Sequence, residues 1–186
     1  MNLTNNLIIA MPGLADPLFE KSVSYICQHN EHGAMGLTIN RPTNISFAEL
    51  LEQLDIPLQL KSLASLPVYQ GGPMEIGHGF ILHSNDGDAA RWSQTLKIND
   101  NLSLSSSKDI LIAIANGEGP SNFLITLGYA GWSKGQIEHE MTENSWLNVL
   151  ADDDIIFHTP NELRWESAAM KLGIDINLIS GDVGHA

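Results

Sequence analysis

Between Ser22 and Asn40 two short strand-like runs are joined by only a few residues, and that spacing constrains the fold more than any other feature of the chain. In Ser22–Gln28, Val23, Tyr25 and Cys27 alternate with Ser22, Ser24 and Gln28, and only Ile26 breaks the polar side. Asn30–Gly33 supplies turn residues, and Met35–Asn40 is the second apolar run. A parallel pair needs a crossover of about a dozen residues, so the two runs must form an antiparallel hairpin.

The same signature recurs. Leu96–Ile98 and Leu102–Leu104 alternate across Asn99-Asp100-Asn101, and Val68–Gln70 and Gly79–His83 flank the turn Gly71-Gly72-Pro73. Leu7–Ala10 stops at Met11-Pro12-Gly13. Asn122–Tyr129 reads as a buried strand, and Trp146–Leu150 and Ile155–Phe157 as shorter ones.

Helices fall between these runs. Ser46 followed by Glu49 has capping-box spacing, Phe47, Leu50, Leu51 and Leu54 recur at helical period, and Pro57 ends the segment. Lys108–Asn116 is apolar nearly all round, capped by Ser107 and stopped by Gly117, which predicts a buried helix. Ser133–Asn144 is a polar helix carrying Ile137 and Met141. Pro160–Leu172 is the last helix, with Leu163, Ala168 and Leu172 along one side. Strands that cluster in hairpins, rather than alternating singly with helices, define an α+β class with a mostly antiparallel or mixed sheet.

A chain of 186 residues buries roughly 70% of its unfolded surface, so one domain spanning 1–186 is expected, with no metal or disulfide needed to hold it. Nine basic residues face 22 acidic ones, a formal charge of −13, which repels phosphate backbones and anionic lipid. Direct DNA binding is disfavoured. No apolar run approaches the ~18 residues of a membrane span, and Met1–Asn6 lacks a basic leader, so neither membrane span nor signal peptide is expected. The single cysteine excludes an intramolecular disulfide and fits the reducing cytoplasm.

Three stretches carry residues suited to chemistry. Cys27 and His29, two apart on a strand, would face the same side, where an imidazole can activate a thiolate. His32 is close by, but Cys27-x-His29-x-x-His32 matches no zinc spacing, and no metal is assigned. Gly71-Gly72-Pro73, with Gly77 and Gly79, is a glycine turn able to cradle an anion, although neither a P-loop nor a dinucleotide fingerprint is present, so no cofactor is expected. Gly128-Tyr129-Ala130-Gly131-Trp132 leads into a helix start at Gly135-Gln136, again a possible anion geometry.

Three segments together resemble the AlgH/YqgE family of bacterial proteins: Leu7–Pro42 (LIIAMPGLADPLFEKSVSYICQHNEHGAMGLTINRP), Val68–His83 (VYQGGPMEIGHGFILH) and Leu127–Leu147 (LGYAGWSKGQIEHEMTENSWL). Leu172-Gly173-Ile174-Asp175 and Gly184-His185-Ala186 also resemble it. The resemblance implies strands wrapped into a split, barrel-like sheet with flanking helices. Some members carry the label of transcriptional regulator, yet no helix-turn-helix with a basic recognition helix is found here. The family often has Arg where this chain has His78, which would make any anion contact there pH-dependent, and Gln where it has Glu75.

Three functions are therefore expected in order. The first is a cytoplasmic binding or regulatory protein, with a cleft between the Tyr25–Pro42 hairpin and the Gly128–Trp146 segment. It would hold a small ligand or peptide through Asn40, Gly71, Gly72, Trp132, Gln136 and Asn144. The second is a thiol enzyme or redox sensor built on Cys27 and His29, with no resolving cysteine in the chain. The third is a transcriptional regulator acting through a protein partner.

Overall fold

A computed structural model describes residues 1–179. Ten strands form one curled, open half-barrel with helices packed around it, the α+β architecture that the hairpin pattern and the family resemblance predict. Strands β1 (Asn6–Ala10), β2 (Val23–Asn30) and β3 (Gly33–Thr38) pair antiparallel in sequence, and β10 (Trp146–Leu150) covers the free edge of β1. β4 (Pro42–Ser46) pairs with β5 (Pro67–Gln70). β6 (Met74–Ser84) pairs with β8 (Leu102–Ser105), which makes the predicted hairpin with β7 (Thr95–Lys97).

β9 (Phe123–Ser133) joins the two halves. Its first residues run antiparallel to β6 along one edge and parallel to β5 along the other, while its last four, Ala130–Ser133, pair with β3. β5–β9 is the one parallel pair among the described residues. β9 is buried along most of its length, which explains its near-continuous apolar reading.

Local chemistry sets the helices. In α1 (Phe47–Gln53) the Ser46 hydroxyl accepts from Glu49 N–H and the Glu49 carboxylate accepts from Ser46 N–H at 2.8 Å, completing the predicted capping box. α2 (Lys108–Asn116) ends on Gly117 in the left-handed region. Ser107 occupies its N-cap position, but its hydroxyl donates to Ser93 O and the Asp109 carboxylate, and Asp109 accepts from Ile110 N–H instead. One flank of α2 is wet: Ile112 is 45% exposed, so the helix is buried on one face only. α3 (Gln136–Thr142) is shorter than the predicted 133–144.

Two expectations fail near the C-terminus. Ile155–Phe157 is not a strand but part of a π-helical turn, Asp154–His158. β10 pairs with β1 only as far back as Asn6, and past the Ala151 N–H bond to Asn5 O the chain has left its β1 partner. The final helix, α4 (Arg164–Met170), follows a 3-10 turn at Asn161–Leu163 and buries Arg164, Trp165, Ala168 and Ala169, whereas Leu163 and Leu172 face solvent. Trp165 anchors it, its indole N–H donating to Ala10 O at 2.9 Å. The resemblance at Gly184-His185-Ala186 lies outside the described residues.

Three apolar clusters result. The largest, with Tyr25, Cys27, Leu37 and Ile39, lies between the sheet and α4. A second packs α1 and α2 on Val68, Ile81 and Ile125, and a third packs α3 on Ile26, Ala34, Trp132 and Trp146.

Candidate functional site

Cys27 and His29 do not face each other. Ile26 is opposite Gly36 and Gln28 opposite Met35, so Cys27 is the extra residue of a β-bulge, and the alternation reverses after it. Cys27 points into the cluster beneath α4 with Tyr25, buried, and burial pushes its thiol well above the ordinary value. His29 turns to the Ile26 face. Its Nδ1 accepts from Leu3 N–H at 3.0 Å, which puts the proton on Nε2, 2.9 Å from Glu138 Oε1. The expected thiol–imidazole pair is corrected: Cys27 is a core residue, and His29 ties the N-terminal segment to α3.

Of the residues expected to line a cleft between the hairpin and the Gly128–Trp146 segment, only Trp132 lines the concavity found there. β3 and β9 are hydrogen-bonded neighbours, with Ala34 opposite Trp132, and what lies over them is a shallow, open depression of about 200 Å³ lined by Gln28, His32, Met35 and Trp132. Asn40 braces the start of β2, accepting from Val23 N–H at 2.8 Å and donating to Lys21 O at 2.9 Å. Trp132 donates its indole N–H to Glu140 Oε2 at 3.1 Å, Trp146 donates to the same oxygen at 2.8 Å, and Gln136 donates to Oε1 at 2.8 Å. Thus Trp132 and Gln136 do meet, around Glu140. Asn144 is exposed and left-handed (φ 57°) in the turn from α3 to β10.

Gly71 and Gly72 have a packing role. A Cβ on Gly71 would stand 2.2 Å from Gly128 O, and one on Gly72 2.2 Å from the Tyr129 carbonyl carbon. The backbone crosses β9 so closely there that only glycine fits. Gly128, at φ 71°, yields from the other side: its Cβ would meet Gly72 O at 2.6 Å.

That crossing creates something else. From Met74 to Gly79 β6 advances five residues while its β9 partner retreats two, from Tyr129 to Leu127, so the excess loops outward as a flap. Glu75 in the flap adopts φ 47°, and Met74 and Ile76 are 47% and 67% exposed. The base of the flap, Gly77-His78-Gly79, is one lip of a groove of about 300 Å³. Leu50 of α1, Leu54 just past its end and Leu111 of α2 form its walls, with Ile81, Ile125 and Leu127 in the sheet also lining it. The opposite lip is the N-terminal end of α2, Ser106-Ser107-Lys108. No carboxylate lines the groove, and Lys108 is its one permanent charge.

Gly77 and Gly79 differ from the other glycines of this region. A Cβ on either meets nothing within 4 Å, and neither has a left-handed φ. The fold does not require glycine at these two positions, yet they leave the groove lip as bare backbone. Sequence reading grouped them with Gly71 and Gly72; only the geometry separates glycines that packing demands from glycines that it does not.

A curled, mostly antiparallel half-barrel with helices packed around it defines the class of this protein. The chain belongs to the AlgH-like family, whose model matches residues 7–177. It is 49% identical over 185 residues to a UPF0301 protein of Thioalkalivibrio sulfidiphilus, covering 100% of this chain and 97% of that one. A UPF0301 protein of Cupriavidus metallidurans is 50% identical, with 100% and 96% covered. The solution structure of the AlgH protein from Pseudomonas aeruginosa matches with a TM-score of 0.80 at 43% identity, covering 100% of this chain and 97% of that one. A crystal structure of a protein from Corynebacterium diphtheriae shares the fold at 18% identity, with a TM-score of 0.72 and 95% and 90% covered. Among the described residues no helix is long and apolar enough to cross a membrane.

Proposed function

We propose that this protein is a binding protein whose flap groove holds a small molecule with an apolar body and one anionic head. The observation that carries this reading is the bare lip: Gly77 and Gly79 leave the groove open to a ligand at no benefit to the fold. The apolar walls suit the body, and a volume near 300 Å³ is at the small end of known ligand pockets. Lys108 and the His78 ring supply the polar, proton-donating character at one end, while Asp109 already occupies the N-terminal end of α2. In a chain of charge −13, a groove free of carboxylates is a local exception.

The thiol reading lacks comparable support, since Cys27 is buried away from the groove and from His29. Regulation, if this chain exercises it, would pass through the liganded state rather than through direct DNA contact, which the charge opposes.

The test is a titration with decanoate, and with decanol and decylamine as matched controls, followed by NMR shifts of the Leu50, Leu54 and Leu111 methyl groups. Saturable shifts with decanoate, weaker with the controls and weakened roughly fivefold by Lys108→Ala, are expected. Equal response to all three, or shifts scattered over the surface, would remove the proposal.

A further inference from the structure

A second site lies on the other side of β9, where the π-helical turn folds over the parallel β5–β9 pair. Arg164, the first residue of α4, is only 4% exposed. Its Nε donates to Thr159 O at 3.0 Å and its Nη1 to Ile39 O, and its guanidinium lies over the Tyr69 ring, 5.1 Å from the centroid. Among the described residues no carboxylate lies within ion-pair distance of it; the Tyr69 side chain is its remaining polar neighbour, and Nη2 donates to no backbone carbonyl. Burial pulls the guanidinium somewhat below its ordinary pKa, offset by Tyr69 and, through space, by Glu162; it remains a cation.

A charge taken out of water without an ionic partner is expensive, and buried charges are normally paired. Arg164 lines a cavity of about 170 Å³ whose other walls are largely apolar, among them Leu66, Tyr69, Phe123, Ile156 and Phe157. The second pointer is the backbone. The π-helical turn that brings Ile156 and Phe157 to this cavity is a rare conformation, frequent at functional sites. The two carbonyls occupy Nε and Nη1, so Nη2 is the one nitrogen left to meet a ligand.

We propose that this cavity binds a small monocarboxylate through Arg164, with the apolar part of the ligand packed against Phe157 and Leu66. Nη2 would donate to one carboxylate oxygen, and the carboxylate would supply the missing counter-charge in a low-dielectric site. The cavity is smaller than ordinary ligand pockets, which limits the ligand to a compact acid. This site shares no polar group with the flap groove, and its occupancy does not depend on the groove being filled.

The experiment follows the Arg164 Nε–Hε resonance of the intact protein during titration with benzoate, with benzamide as the uncharged match and inorganic phosphate as the bare anion. Arg164 braces Ile39 and Thr159, so its own replacement endangers the fold. The informative variant is Leu66→Trp, which fills the cavity and leaves the guanidinium in place. Saturable movement with benzoate, at least roughly tenfold weaker in Leu66→Trp at unchanged melting temperature and absent with benzamide, is expected. No saturable movement up to about 10 mM, equal movement with benzamide, tighter binding of phosphate than of benzoate, or indifference to Leu66→Trp would each overturn the proposal.

Discussion

Trp132 and Trp146 share one oxygen. Both indole N–H groups, from strands at opposite ends of α3, donate to Glu140 Oε2, and the two rings sit edge to face with centroids 6.1 Å apart. Glu140 therefore satisfies two buried donors at once, and Gln136 holds its other oxygen. Removing the carboxylate strands both indoles. Glu140→Ala is expected to cost about 2–4 kcal/mol, and Glu140→Gln, which keeps one acceptor, about 1 kcal/mol. Urea denaturation followed by near-ultraviolet circular dichroism checks both values.

Cys27 is expected to be inert in the native state. Burial holds the thiol protonated, so alkylation at pH 8.5 should label it only after denaturation. The linkage sign follows. The unfolded thiol ionises near pH 8.5 while the folded one does not, so this group weakens the fold as pH rises above that value. Rapid native labelling would contradict its placement in the core.

His83 gives the opposite pH window. It is fully buried, its Nε2 bonded to Ser105 Oγ at 2.9 Å and its Nδ1 to Ser84 O at 3.0 Å. Burial lowers its pKa, against smaller opposing effects of Ser84 and Asp86. The unfolded chain then binds the extra proton, and this contribution to stability is lost as pH falls below about 6.5. The loss of stability between pH 7 and pH 5 should be smaller in His83→Gln, although that variant is less stable at pH 7. Equal losses in both proteins would refute the assignment.

His29 fastens the N-terminus. It accepts from Leu3 N–H, its own N–H donates to Thr4 Oγ1 at 2.9 Å, and Nε2–H reaches Glu138. His29→Ala should cost about 1–3 kcal/mol and raise amide exchange at Leu3 and Asn5 before the rest of the sheet responds. Unchanged exchange at Leu3 would show that the strap does not depend on His29.

Much of this architecture is legible in local sequence because local physics decides it. The hairpins follow from connection length, and the α1 start follows from Ser46 and Glu49 alone. What escapes is set by partners distant in the chain. The bulge at Cys27 exists only in register with Met35 and Gly36, and it reverses the side that His29 faces. Ile155–Phe157 has the composition of a strand but follows the point where β1 runs out beside β10, and it forms a π-helical turn instead. The last helix misleads because Trp165, not Leu163 or Leu172, anchors it. The groove is least legible of all. Its walls come from α1, α2, β6 and β9, and Gly77 looks like Gly72 until the space around each is measured.

That contrast supplies the most direct measurement. Gly77→Val and Gly72→Val are each assayed for melting temperature and for decanoate affinity. Gly72→Val drives a side chain into the Tyr129 backbone and should destabilise the protein by more than about 3 kcal/mol. At Gly77 a Cβ meets nothing within 4 Å, so Gly77→Val should leave stability within about 0.5 kcal/mol while weakening decanoate at least roughly tenfold. A Gly77→Val protein that keeps both its stability and its full affinity would contradict the groove as the binding site.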